Sequence, residues 1–141
     1  MLPRILVAAS AAIALLLGFL HLAYTFFTRK LNPRDVELEK HMQQALPRIT
    51  SQTTMWKAWI GFNASHSIGV ILFGTIYAYL SLFAWPLLIH SPFLIGLGIA
   101  LFVSYLLLAK LYWFRSPLIG IALAGSLYLL GIVIATRQRG P

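Results

Sequence analysis

The sequence predicts an all-α membrane protein: a four-transmembrane-helix bundle with a short amphipathic interfacial helix between the first and second spans. Three observations carry that prediction. The 141 residues are 60% hydrophobic and only 10% charged, whereas a soluble domain carries about 25% charged residues. Too little polar surface remains to cover a globule, so lipid must be the outer solvent. Four apolar runs, at 5–27, 56–85, 93–109 and 118–135, reach the roughly 17 residues needed to cross a bilayer. The Lys and Arg residues gather at the ends of those runs, which matches anionic lipid headgroups rather than nucleic acid.

The length leaves room for a single integral membrane domain, 1–141. The chain has no cysteine, which excludes disulfides, thiolate metal sites and Cys nucleophiles.

The first span, 5–27, is expected to be a retained helix. It is longer than the roughly 7–15 apolar residues of a signal peptide, and no small-x-small cleavage site follows it. At 3.6 residues per turn, Ser10, Ala14, Gly18, His21, Thr25 and Thr28 fall on one stripe. Small and polar residues on one face mark the side packed against other helices.

The segment between the first two spans is polar and holds all three acids, Asp35, Glu37 and Glu39. Asn32-Pro33 reads as a helix start, with Pro at N1 and acids in the first turn, where the helix dipole favours them. Leu38, Met42, Ala45, Leu46 and Ile49 recur at helical spacing. An interfacial helix at about 33–46 is expected, weakened at its end by Pro47. Residues 50–54, Thr-Ser-Gln-Thr-Thr, offer caps for the second span.

That second span carries two special faces. Trp59, Asn63, His66, Ser67, Gly74 and Tyr77 project to one side. Gly61, Ser65 and Gly69, at spacing four, project nearly opposite and form a ridge that lets another backbone approach closely. Residues 86–92, with Pro86 and Pro92, are expected to turn. The third span places Gly96, Ala100 and Ser104 on one ridge, and the fourth places Gly120 and Ala124 on another.

Orientation follows from the cations. The first and third loops carry Arg29, Lys30, Arg34, Lys40, Arg48, Lys57, Lys110 and Arg115, against Arg4, Arg137 and Arg139 on the other side. The richer side should be cytoplasmic, with both termini outside.

The polar residues within the spans are the candidate site. His21 lies eight residues before Arg29, and His66 nine after Lys57. At about 1.5 Å per residue, both sit roughly 12–14 Å inside the same boundary. Sequential antiparallel helices are usually neighbours, so His21, Thr25, Asn63, His66 and Ser67 can form one polar layer. Ser104, Tyr105 and Ser126 are at a level to join it. The layer admits several roles. It can bind a lipid, a quinone or a similar amphipathic ligand, or simply fix helix register. His21 and His66 can ligate haem b iron. A zinc ion would be short of ligands. No Asp or Glu lies in any span, which argues against a carboxylate proton relay or a cation-coupled transporter, and no catalytic residue is indicated.

The segment GFNASHSIG, with HLAYTFF and TTMWKAW upstream, resembles a family of small bacterial four-helix integral membrane proteins that shares a GFNxSHS motif in its second helix. The resemblance covers the first two spans and the loop between them. It implies four helices and a bacterial inner membrane, and it implies no activity. The architecture also resembles the four-helix membrane proteins that metabolise glutathione and eicosanoids. Their second-helix Arg and Glu are missing here, so glutathione binding does not carry over. Three readings follow. The chain holds an amphipathic ligand, serves as an accessory subunit or self-associates through Gly61, Ser65 and Gly69, or carries haem in a redox role.

Overall fold

The computed structural model describes residues 1–138. Arg139, counted above among the outer cations, lies outside the described residues. Six helices follow in order: α1 (Leu2–Phe27), α2 (Val36–Gln44), α3 (Met55–Leu82), α4 (Trp85–His90), α5 (Pro92–Tyr112) and α6 (Arg115–Arg137), with no strand among the described residues. Four of them, α1, α3, α5 and α6, are long and apolar enough to cross a membrane. The chain is therefore an all-α, multi-pass membrane protein.

Three boundaries differ from the sequence reading, each for a local reason. The interfacial helix starts at Val36, not near Pro33. Asp35 is its N-cap, and the Asp35 carboxylate accepts from the N–H groups of Glu37 and Leu38, satisfying donors that the helix leaves unpaired. It stops at Gln44, because Leu46 precedes Pro47 and is pushed out of the helical region.

The second break is at Pro86. Without an N–H, Pro86 cannot bond the carbonyl four residues back. So α3 ends at Leu82, and the chain restarts as α4 with Pro86 in its first turn. The expected turn at 86–92 is largely this short helix. The carbonyls left at the end of α3 are taken up by Arg4. Its guanidinium donates to Ser81 at 3.1 Å and to Leu82 at 2.6 Å. At the third, α5 and α6 run past the apolar stretches to Tyr112 and Arg137. Their terminal Lys and Arg can reach headgroups along their own apolar stems.

The chain divides into two compact units, Met1–Leu17 with the chain from Val70 onward, and Gly18–Gly69. In the first, parts of α1 and α3 join α4, α5 and α6 around one apolar core that includes Val7, Ala11, Phe73, Tyr77, Leu88, Phe102 and Tyr128. Small residues set the approach of α1 to α6. A Cβ on Gly131 would lie 2.9 Å from the Pro3 carbonyl oxygen and from Val7 Cγ2. The buried Ser10 hydroxyl donates to the Ala124 carbonyl at 2.7 Å.

The ridge expected on α5 is not its packed face. Gly96, Ala100 and Ser104 are exposed, while Gly98, Phe102 and Ala109 are buried. Gly98 is a notch for Tyr128: a Cβ there would strike the tyrosine hydroxyl, which donates to the Ile95 carbonyl at 3.1 Å. Tyr77 donates to Leu94 on the same helix at 2.5 Å. Ser126 is also exposed, and the Tyr105 ring lies against Trp113, 6.0 Å between centroids. Ser104 and Ser126 therefore do not belong to an interior polar layer. Beside lipid, an exposed small residue and a buried one look alike in hydropathy, and only packing separates them.

The second unit holds the end of α1, the connecting segment with α2, and the start of α3. Thr54 caps α3 by accepting from the Lys57 N–H at 3.3 Å. Glu39 gathers the connection, accepting from Arg29 at 3.0 Å and from Asn32 at 3.3 Å. The Trp59 indole N–H donates to the Leu31 carbonyl at 3.2 Å. None of the residues of α2 is buried.

Candidate functional site

All five sequence-derived site residues, His21, Thr25, Asn63, His66 and Ser67, lie within the second unit. Helical spacing explains how they converge. His21 and Thr25 are one turn apart on α1, as are Asn63 and Ser67 on α3, so each pair shares a face. Thr25, Asn63 and Ser67 are buried, while His21 and His66 are partly buried.

An amide–imidazole bond links the two helices. His21 Nε2 and Asn63 Oδ1 are 3.0 Å apart. The direction follows from the other end of the amide. Asn63 Nδ2 donates to the Trp59 carbonyl at 2.8 Å, so the amide oxygen faces the imidazole and must accept. Nε2 therefore carries the bridging proton, and in a neutral ring Nδ1 is an acceptor. The two imidazoles themselves meet edge to face, with centroids 5.4 Å apart at an interplanar angle of 77°.

The hydroxyls play a narrower part. Thr25 donates to the His21 carbonyl and Ser67 to the Asn63 carbonyl, both at 2.8 Å. Each proton is thus returned to its own helix one turn back, the usual way a membrane helix satisfies Ser and Thr. Among the described residues no buried side-chain nitrogen or oxygen lacks a partner. The two imidazoles are the site's least enclosed polar groups and its chemically versatile ones.

The donor set decides what metal chemistry fits. No group of three or more His, Cys, Asp or Glu side chains is placed to hold a metal ion among the described residues, and two imidazoles leave zinc two ligands short of its usual four. A bis-histidine haem needs both imidazoles aimed at one iron from opposite sides of the macrocycle. Here His21 Nε2 is engaged by Asn63 and the rings touch directly, so these residues as arranged do not fit that group.

Gly61, Ser65 and Gly69 are exposed along α3. A Cβ on Gly61 or Gly69 would meet no atom within 4 Å, and Ser65 donates to the carbonyl of Phe62 at 3.0 Å. His41 and His90 are exposed; His90 contacts the Pro86 carbonyl, one turn back, at 2.7 Å.

Sequence reasoning missed two working residues. Trp59 shares a face with Asn63 in sequence, but its work is done by its carbonyl, which orients Asn63, and its indole, which ties down the connection at Leu31. Arg4 was read as a topology charge, yet it caps α3. A signal for Arg4 existed. It lies 17 residues before His21, and Leu82 lies 16 after His66, a near-equal count that antiparallel pairing of the two spans would have used. Compared with known protein families, with curated proteins and with solved structures, the chain shows no match.

Proposed function

We propose that the chain is an intramembrane binding module for an amphipathic ligand, a lipid or a quinol, whose polar head hydrogen-bonds the His21–His66 pair. Asn63 positions the pair, and Thr25 and Ser67 line it. One observation carries the reading: Asn63 holds His21 with Nε2 as donor, leaving Nδ1 as an acceptor on a partly buried ring. Such a ring selects a ligand head with an N–H or O–H to give. The ammonium of phosphatidylethanolamine and the hydroxyl of a quinol qualify; the choline headgroup and a quinone carbonyl do not. The cation distribution supports an orientation with both termini outside the cytoplasm, and the family resemblance supports a bacterial inner membrane.

Extraction into native nanodiscs, followed by lipid mass spectrometry, tests this. The wild type should retain phosphatidylethanolamine or a quinol above its membrane abundance, and His21→Phe and His66→Ala should lose that enrichment. Identical profiles for all three proteins would refute it.

A second reading rests on the open ridge at Gly61, Ser65 and Gly69, where a second helix could approach closely. It makes the chain an accessory subunit or a self-associating one. Gly61→Leu with Gly69→Leu should abolish crosslinked species and leave the monomer's stability unchanged. A wild type that is only monomeric in mild detergent and in native membranes would remove it.

A further inference from the structure

Residues 45–55, which join α2 to α3, form a loop with a pinned neck and an apolar, cationic tip. The Met55 N–H donates to the Ala45 carbonyl at 2.8 Å, closing the neck at the first residue of a membrane-crossing helix. Within the loop, the Thr50 N–H donates to the Pro47 carbonyl at 3.2 Å. That bond makes Arg48 and Ile49 the two central residues of a turn. Ile49 is 91% exposed and Leu46 is 55% exposed. A large apolar side chain at the apex of a closed turn, this near a span, has bilayer as its nearest apolar phase.

The local charges point to the same surface. All three acids of this unit are engaged. Asp35 caps α2, Glu37 pairs with Lys40 at 2.9 Å, and Glu39 pairs with Arg29 at 3.0 Å. Lys30 lies over the Tyr24 ring, 4.1 Å from its centroid. Among the described residues, no carboxylate pairs with Arg34, Arg48 or Lys57, and all three are exposed. The unit therefore carries uncompensated positive charge, with Arg48 in the turn at the tip itself.

We infer that the 45–55 loop is a second lipid site, separate from the imidazole pair, in which Ile49 inserts at the bilayer interface while Arg48 binds an anionic phospholipid headgroup. The pairing follows interfacial anchors generally, in which buried apolar area and electrostatic attraction add. The pinned neck means that little loop ordering is required on docking.

The chain's lack of cysteine makes the test direct. Full-length Ile49→Cys and, as a control on the same loop, Gln52→Cys are labelled with an environment-sensitive fluorophore. Each is reconstituted in nanodiscs of phosphatidylcholine with or without phosphatidylglycerol. The label at 49 should shift to the blue and be quenched by nitroxide-bearing lipid, more strongly with phosphatidylglycerol, while the label at 52 stays solvent-like. In the unlabelled protein, Arg48→Gln should reduce the retention of phosphatidylglycerol over phosphatidylcholine about fivefold, the worth of one near-surface cation. A solvent-like label at 49 in both discs would overturn the inference. So would a shielded label that nitroxide lipid cannot quench, which indicates a protein contact instead. Unchanged phosphatidylglycerol retention in Arg48→Gln would remove the headgroup assignment.

Discussion

Replacing Asn63 with Leu and His21 with Phe, singly and together, isolates the amide–imidazole bond that joins α1 to α3 in the candidate site. Asn63 is only 8% exposed, and its bond to His21 is 3.0 Å long. Asn63→Leu keeps the volume apolar but leaves the His21 N–H without its acceptor. His21→Phe leaves the Asn63 oxygen buried and unpaired. An orphaned buried polar group costs about 1–3 kcal/mol, and the partial exposure of His21 puts the Asn63→Leu variant at the lower end. The double variant removes both partners, so its loss should be smaller than the sum of the single losses. Hydrogen bonds between membrane helices average about 0.6 kcal/mol in such cycles, with a maximum near 1.7. The expected coupling is in that range, roughly three- to eighteenfold in the unfolding constant. The assay is unfolding in lipid–detergent micelles titrated with dodecyl sulfate and followed by tryptophan fluorescence, since Trp59 lies one turn from Asn63. Single variants that each destabilise but combine additively, within about 0.2 kcal/mol, would refute the assigned bond and with it the tautomer.

Three further outcomes are expected. Gly98→Ala should destabilise by about 1–3 kcal/mol, because its Cβ meets the buried Tyr128 hydroxyl and forces repacking; Tyr128→Phe in the same chain should recover part of the loss in the same titration. Arg4→Gln should free the Ser81 and Leu82 carbonyls at a cost of about 1–2 kcal/mol, and hydrogen exchange should speed up at the Phe83 and Ala84 amides while α5 is unaffected. In sealed vesicles, cysteines placed at Ser51 and Ser116 should be labelled from one side and those at Leu2 and Ser91 from the other; all four reacting from one side would overturn the proposed topology.

The sequence made the spans legible because lipid demands long apolar runs and nothing else in the chain supplies them. It made the α1 stripe and the His21–His66 pairing legible because helical period and depth are both arithmetic on residue number. What it concealed depends on partners. Nothing local to Gly98 distinguishes it from Gly96, yet one receives Tyr128 and the other is open. In water, burial follows hydropathy; in lipid, both faces of α5 are apolar and burial follows shape. The start of α2 was misplaced because Pro33 and Asp35 both signal a helix N-terminus, and only Asp35 carries an oxygen that can accept the free N–H groups. The Pro86 break was legible as a break, but its restart as α4 depends on Leu88 and Ile89 finding burial, which is a tertiary fact.

The way the spans satisfy their hydroxyls bears on what the site can bind. Thr25, Ser67, Thr75, Ser81 and Thr136 each donate to a carbonyl three or four residues back on their own helix. Ser10 instead reaches from α1 to α6, and the Tyr77 and Tyr128 hydroxyls reach α5. A ligand head that takes a hydrogen from Thr25 or Ser67 must first break that hydroxyl's bond to its own helix, whereas one that donates to His21 Nδ1 leaves the His21–Asn63 bond in place. Discrimination at this site should therefore rest on the tautomer that Asn63 imposes. Asn63→Asp sharpens the point. A carboxylate keeps an acceptor for His21 but loses the donor to the Trp59 carbonyl, so the side chain is no longer held with one oxygen aimed at the ring. That change should weaken the selection for heads that give a hydrogen. Retention of the same ligand by Asn63→Asp and wild type, with His66→Ala losing it, would place recognition on His66 and leave His21 as the strut that holds the hairpin together.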